Sequence, residues 1–241
     1  MKKPLHILLA AFLLPVALCA QTKKDSTIVQ ADYLKGGGTI YLVADSGWTP
    51  DTYWKPNFSL HSFNADGTKI NSIPLKFLDT SLVGNPLTEI NIKFVDQQTG
   101  FLYGYETGYG YLPFMFRTTD AGKTWQRATP PGIGYSSPLN AGDLFMFNNK
   151  QGIVISLGNY PVEFHYYMTD DGGKSWQEHS YPLPDGKDML TFGADHLNAT
   201  YSADGTVTVM IEHSVDYENP DVTKTIVLRS ANFGADFHEM K

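Results

Sequence analysis

The sequence is poorest in cysteine: Cys19 is the only one in 241 residues. No intrachain disulfide or cysteine-built metal site is available, and removal of an N-terminal leader would take away the only thiolate nucleophile too. Arginine is nearly as scarce, with Arg117, Arg127 and Arg229 the full set. The formal charge is −7 and no basic cluster occurs, so the electrostatic footprint of a nucleic-acid or anionic-membrane binder is missing. His61, His165, His179, His196, His213 and His238 form no close pair and no HExxH spacing, and zinc is not expected. There is no Gly-x-Ser-x-Gly elbow and no phosphate-cradling glycine loop. Asp170-Asp171 looks like a calcium pair at first sight, but Asp171 has a structural place in the repeat described below. No metal, cofactor or catalytic residue is therefore expected.

Long apolar runs are scarce as well. The one at Leu5 to Leu18 follows Lys2 and Lys3 and reads as the core of a secretory signal over residues 1–20. It is too short and too early to span a membrane in the mature chain. Cleavage after Ala20 removes twenty residues of 241 and leaves 221, and loss of the two lysines moves the charge from −7 to −9. The expected destination is periplasmic or extracellular. Val16-Ala17-Leu18-Cys19 loosely resembles a lipobox, but Leu18 sits where that motif takes a small residue, so a lipid anchor at Cys19 is not expected. Residues 21–27 read as a linker and 28–241 as one domain. A chain of this length buries about 70% of its unfolded surface, enough to be stable by packing alone.

What the sequence does have is a repeat. Thr118-Thr119-Asp120-Ala121-Gly122-Lys123-Thr124-Trp125 recurs as Thr169-Asp170-Asp171-Gly172-Gly173-Lys174-Ser175-Trp176. A looser copy, Ser230-Ala231-Asn232-Phe233-Gly234-Ala235-Asp236-Phe237, replaces Asp by Asn and Trp by Phe. The starts at 118, 169 and 230 are 51 and 61 residues apart, the scale of a propeller blade. The side-chain oxygen at the third position can accept backbone N–H bonds across a tight turn, and the glycine two residues later supplies positive φ without steric cost. The closing aromatic then folds inward between neighbouring sheets, burying roughly 150–250 Å².

The octapeptide resembles the Asp-box of BNR repeats, Ser/Thr-x-Asp-x-Gly-x-Thr/Ser-Trp, found in sialidases, photosystem assembly factors and other propellers. Phe94-Val95-Asp96 followed by Gly100-Phe101 is similar to the strand-turn-strand that precedes such a box. The resemblance implies an all-β propeller of four-stranded antiparallel blades, each box joining third and fourth strands. Asp120, Gly122, Trp125, Asp171, Gly173, Trp176, Asn232, Gly234 and Phe237 would be scaffold residues. Parsing outward from the boxes gives blades near 28–75, 90–128, 143–180 and 198–240, with outer strands near 124–128 and 236–240. The first blade ends in the hairpin Asn64-Ala65-Asp66-Gly67, which has turn chemistry but no box. Four blades are the small end of the propeller range, so the alternative is a partial ring, or two chains pairing into a larger one.

Strand alternation puts the box turns on one face and the second-to-third-strand loops, with the long connections 75–89, 129–142 and 180–195, on the other. Long loops on a rigid scaffold commonly carry binding. Those on the second face hold Trp48, Tyr53, Trp54, Tyr109, Tyr111, Tyr160 and Tyr217, either a platform for a glycan or extended peptide or rings that pack loops onto blades. Asp51, Glu106, Asp216, Glu218 and Asp221 lie among them as candidate members of an acidic pair, or as ordinary solvated loop carboxylates. Sialidases clamp the substrate carboxylate with three arginines. Here Arg117 and Arg229 directly precede box turns and Arg127 lies in an outer strand, so that clamp is missing. The leading expectation is an exported, non-catalytic module binding a protein, peptide or glycan on the face opposite the box turns. The rival is a glycan-active hydrolase of sialidase-like fold with an atypical acidic pair.

Overall fold

The computed structural model of the chain describes residues 26–45, 57–82, 85–108, 110–133, 143–156, 163–182, 196–214 and 223–240. They form four antiparallel four-stranded sheets, each a meander in chain order, and so four blades of a β-propeller. The first blade is β1 (Ser26–Tyr33), β2 (Thr39–Asp45), β3 (Phe58–Phe63) and β4 (Lys69–Pro74). The second is β5 (Leu87–Phe94), β6 (Gly100–Thr107), β7 (Tyr111–Thr118) and β8 (Gln126–Arg127). The third is β9 (Leu144–Met146), β10 (Gly152–Ser156), β11 (Glu163–Thr169) and β12 (Gln177–Pro182). The fourth is β13 (His196–Tyr201), β14 (Val207–Ser214), β15 (Thr223–Ser230) and β16 (His238–Glu239). A single helical turn, α1 (Leu78–Ser81), interrupts the connection from the first blade to the second.

β1 packs beside β5, so the first strands are innermost and the fourth strands form the rim. Two rim strands are shorter than the sequence suggests: β8 and β16 have two residues each. The turn residues Gly122 to Trp125 and Gly234 to Phe237 draw the chain into the octapeptide turn and shorten the run left to pair.

Side-chain alternation explains why the middle strands read as nearly continuous apolar runs, since both faces of an inner blade are covered. In β6, Leu102 packs toward the first blade with Leu42 and Leu60, while Phe101 and Tyr103 pack toward the third with Val154 and Tyr167. In β10, Val154 points back to the second blade and Ile153 and Ile155 point on to the fourth, against Val209 and Ile211. Three apolar clusters thus join successive blades. Among the described residues none joins the fourth blade to the first.

The closing aromatic of each octapeptide is a bolt in one of these interfaces. Trp176, in the third blade, is buried among Phe101, Tyr103 and Met115 of the second, and its indole N–H donates to the Ala128 carbonyl at 2.9 Å. Phe237, in the fourth, meets Tyr166 of the third edge-on at 5.1 Å. Trp125, in the second, stacks on Phe77, just beyond the first blade, at 5.7 Å and is only half-buried. Truncating Trp176 opens a cavity inside a blade interface, so Trp176→Ala is expected to cost about 3–5 kcal/mol, with Trp125→Ala losing less. Urea denaturation checks this, and an unchanged midpoint for Trp176→Ala would contradict the bolt assignment.

Candidate functional site

Each octapeptide turn closes on itself by a hydrogen-bond cage. In the second blade the Thr118 hydroxyl donates to Asp120 Oδ1 at 2.8 Å and accepts the Gly122 N–H at 2.9 Å. Asp120 also accepts the Thr124 N–H at 2.9 Å and the Thr124 hydroxyl at 2.6 Å. The third blade repeats the pattern, with Thr169 and Ser175 bonded to Asp171 at 2.9 and 2.7 Å and the Gly173 N–H on the Thr169 hydroxyl at 2.8 Å.

The glycines are fixed twice over. Gly122 and Gly173 have φ of +87° and +78°, where an L side chain is strained. A Cβ there would also stand 2.6 Å from Leu60 of the first blade or Phe101 of the second. Gly234 meets Met168 of the third blade in the same way, at 2.8 Å. These turns therefore pack against the preceding blade as closely as backbone can approach a side chain.

The degenerate copy keeps the cage by exchanging donor and acceptor. Asn232 cannot receive a hydroxyl proton on a second carboxylate oxygen, but its amide Nδ2 donates to Asp236 Oδ2 at 2.7 Å, and Asp236 occupies the place of Thr124 and Ser175. Asn232 Oδ1 still accepts the Asp236 N–H at 3.0 Å and the Ser230 hydroxyl at 2.7 Å. The two substitutions that make this copy look decayed thus compensate each other.

Charge follows from these bonds. Partial burial works to raise the Asp171 carboxyl, but the N–H and hydroxyl of Ser175, the Thr169 hydroxyl and the Lys174 N–H outweigh it and hold the group at about 2. Asp120 is lowered by the same balance, with the Thr124 hydroxyl the strongest donor against burial. Smaller Asx turns, unmarked by any octapeptide, sit on the same face: Asp96 accepts the Thr99 N–H at 2.6 Å, and Asp204 the Ser202 hydroxyl at 2.5 Å.

The three arginines serve the scaffold or the surface. Arg117 Nε donates to the Gly172 carbonyl in the next blade's turn at 2.5 Å, and Arg127 lies 5.6 Å over the Phe116 ring. Arg229 is exposed on β15.

At the centre the first strands are stitched through side chains. β5 presents an unpaired backbone edge, and Gln30 and Asp32 of β1 accept the N–H groups of Ile92 and Phe94. Lys93 Nζ lies 3.4 Å from Asp32. Burial, followed by the charges of Asp143, Asp32 and Glu89, pushes the Tyr103 phenol up, so β1, β5 and the residue just before β9 set negative charge about one buried ring. The amide of Asn91 donates to Glu89 at 2.8 Å. These central residues were not singled out from the sequence. Their only signal was polarity inside runs that otherwise read as core.

On the face opposite the octapeptide turns, the described residues form a cleft of about 290 Å³ at the end of the first blade. Phe58, Pro74, Leu75 and Leu78 give it an apolar floor, and Asn57, Lys76 and Asp79 a polar rim. α1 builds one wall and is tied to the end of the first blade by the Leu78 N–H on the Leu75 carbonyl at 3.1 Å.

Of the rings placed on this face from the sequence, Tyr111 is described. It is half-buried in β7 and meets Tyr105 edge-on at 5.2 Å, which is packing between neighbouring strands. Trp48, Tyr53, Trp54, Tyr109, Tyr160 and Tyr217 lie outside the described residues, as do Asp51, Asp216, Glu218 and Asp221. Glu106 differs from a solvated loop carboxylate: it lies within β6, opposite Leu87 and Leu112, and is 2% exposed.

No protein-family model matches the chain, and no curated protein is significantly similar to it. Solved structures are similar in fold. YCF48 bound to a D1 peptide is 13% identical over 89% of this chain and 80% of its own, with a TM-score of 0.35. A family 117 glycoside hydrolase from the marine bacterium Zobellia galactanivorans is 12% identical over 90% of this chain and 68% of its own, at 0.46. Trypanosoma rangeli sialidase is 14% identical over 88% of this chain but only 38% of its own, at 0.49. The class is that of the β-propellers.

Asn232→Asp sets a second carboxylate against Asp236 and should lose about 1 kcal/mol, allowing for solvent screening, while N232D/D236S should recover it; additive losses in urea denaturation would refute the exchange. Asp171 titrates near 3.8 when free and at about 2 in the fold, so its stabilisation is complete above about pH 4 and is lost as pH falls through 2. The stability gap between the native chain and Asp171→Asn should therefore narrow from pH 4 to pH 2; a pH-independent gap would contradict the cage.

Proposed function

We propose that the chain is an exported, non-catalytic interaction module of the BNR/Asp-box type that holds a protein, peptide or glycan on the face opposite its octapeptide turns. The observation that carries this reading is the cleft at the end of the first blade, with its apolar floor and a rim bearing both Lys76 and Asp79. Its volume is at the lower bound of ligand-sized sites, suited to one apolar side chain or one sugar ring of a longer ligand. The opposite face favours the same choice. The side-chain acceptors of its octapeptide turns are engaged in their own cages, and their glycines and aromatics in blade packing. The segment 46–56, which carries Trp48, Tyr53 and Trp54, directly precedes Asn57 of the cleft in the chain, which makes Trp54 the ring to test first.

The chain purified from its culture medium or periplasm is screened on peptide and glycan arrays. Lys76→Glu and Trp54→Ala should each weaken a hit about tenfold or more, and Thr124→Val, on the other face, should leave it unchanged. Binding indifferent to both substitutions would refute the site. Turnover of a glycoside panel that vanishes in Glu106→Gln or Glu218→Gln would refute the non-catalytic reading.

A further inference from the structure

Among the described residues, the fourth blade is covered on one side only. Val207, Val209, Ile211, Ile226 and Leu228 pack toward the third blade and are buried. The alternate residues of the same strands form the other face, where Met210 pairs with Val227 across β14 and β15. The Met240 N–H donates to the Val227 carbonyl at 2.8 Å and extends that row to the rim. Met210 is 45% exposed and Met240 50%. A blade whose second face was meant for water would carry polar side chains throughout this row, as capping repeats of stacked architectures do. Here the row opens on Asn198 of β13, paired with Met210, and is apolar from β14 to the rim.

Charge is arranged about that row. Arg229, beside Thr208, lies on the side toward the octapeptide turn. Glu212, beside Thr225, lies on the opposite side, and the Thr223 hydroxyl donates to its Oε1 at 2.9 Å, orienting the carboxylate on the face. The face is therefore apolar along its midline from β14 outward, with Arg229 at one end and Glu212 at the other. A two-fold axis along the Met210–Val227–Met240 row interchanges the strand ends and leaves the row on itself. It brings Arg229 of each copy over the Glu212 end of the other while the methionine rows meet. This is the self-complementarity an isologous interface requires. The axis also keeps the strands of the two sheets nearly aligned, the usual packing of sheets about 10 Å apart.

We infer that this outer face of the fourth blade is a homodimer interface whose occupant is the same face of a second copy of the chain. The pairing gives the fourth blade the two-sided burial that β6 and β10 already have, and it joins two four-bladed arcs at their fourth blades.

Protein purified from cells expressing the full sequence is examined by sedimentation velocity from about 1 to about 500 µM. The expected result is a monomer–dimer equilibrium in that range. Arg229→Glu and Glu212→Arg should each weaken association about tenfold or more, and R229E/E212R, which restores opposite signs, should recover it. Both side chains lie at the surface, and unchanged melting at the lowest concentration verifies the fold of each variant. An independent measurement needs no substitution: peroxide oxidation of Met210 and Met240 should slow as concentration rises, relative to the free amino acid. A monomer throughout the range, a dimer indifferent to the single reversals, failure of the double variant to recover, or methionine oxidation independent of concentration would each overturn the inference.

Discussion

The close approach of each octapeptide turn to the blade before it is the contact on which the architecture rests. A propeller blade is a small sheet with two apolar faces and cannot be stable alone, so the decisive question is what aligns one sheet on the next. Here the glycine of the turn and its closing aromatic act together. Gly173 lets the turn settle on Phe101, and Trp176 then enters the space beside Tyr103 and Met115. A side chain at the glycine would hold the turn away and leave the indole short of its partner carbonyl at Ala128. The hydrogen-bond cage matters because it fixes the geometry that makes this approach possible. Its own net contribution is small, as expected of exposed polar bonds.

The fourth blade shows which part of the motif the fold needs. With Asn232 and Asp236 in place of a carboxylate and a hydroxyl, the glycine is the one cage residue left unchanged and Ser230 keeps the hydroxyl of Thr118 and Thr169, yet the bond from side chain to side chain survives with its direction reversed. What persists is one donor facing one acceptor across the turn, the φ of Gly234, and an aromatic at the end. The first blade goes further. Its hairpin keeps the Asp66 carboxylate bonded to Thr68, whose N–H donates at 2.8 Å, and it has no preceding blade among the described residues to bolt against. The motif follows the interface.

This accounts for what could be read in the sequence and what could not. The octapeptides are local, so their chemistry and spacing mark the blades directly, and strand alternation then divides the faces. The stitching at the centre is not local. Asp32 and Phe94 are 62 residues apart, and nothing in Gln30-Ala31-Asp32 announces a neighbour in another blade. Glu106 illustrates the same limit in reverse. It follows Tyr105 near the end of a strand and reads as a loop carboxylate, but the continuation of β6 against both β5 and β7 buries it. The cleft was invisible for a third reason: its wall is a single helical turn, and a four-residue element leaves no periodicity to detect.

The same logic bears on where recognition can evolve. Residues that lock blades together are constrained from two sides, by φ and by contact, as Gly122 and Gly173 show. Ligand chemistry placed on that face would compete with the cage for the same oxygens, because Asp120 and Asp171 already accept from both ends of their turns. The opposite ends of the strands carry no such obligation. There the chain has spent its length, with residues 75–86, 128–143 and 183–195 lying between one blade's last strand and the next blade's first. A scaffold that consumes its polar groups on one face and leaves its long segments on the other separates the residues that hold the blades from those free to vary, and Lys76 and Asp79 at the rim of the cleft belong to the second group.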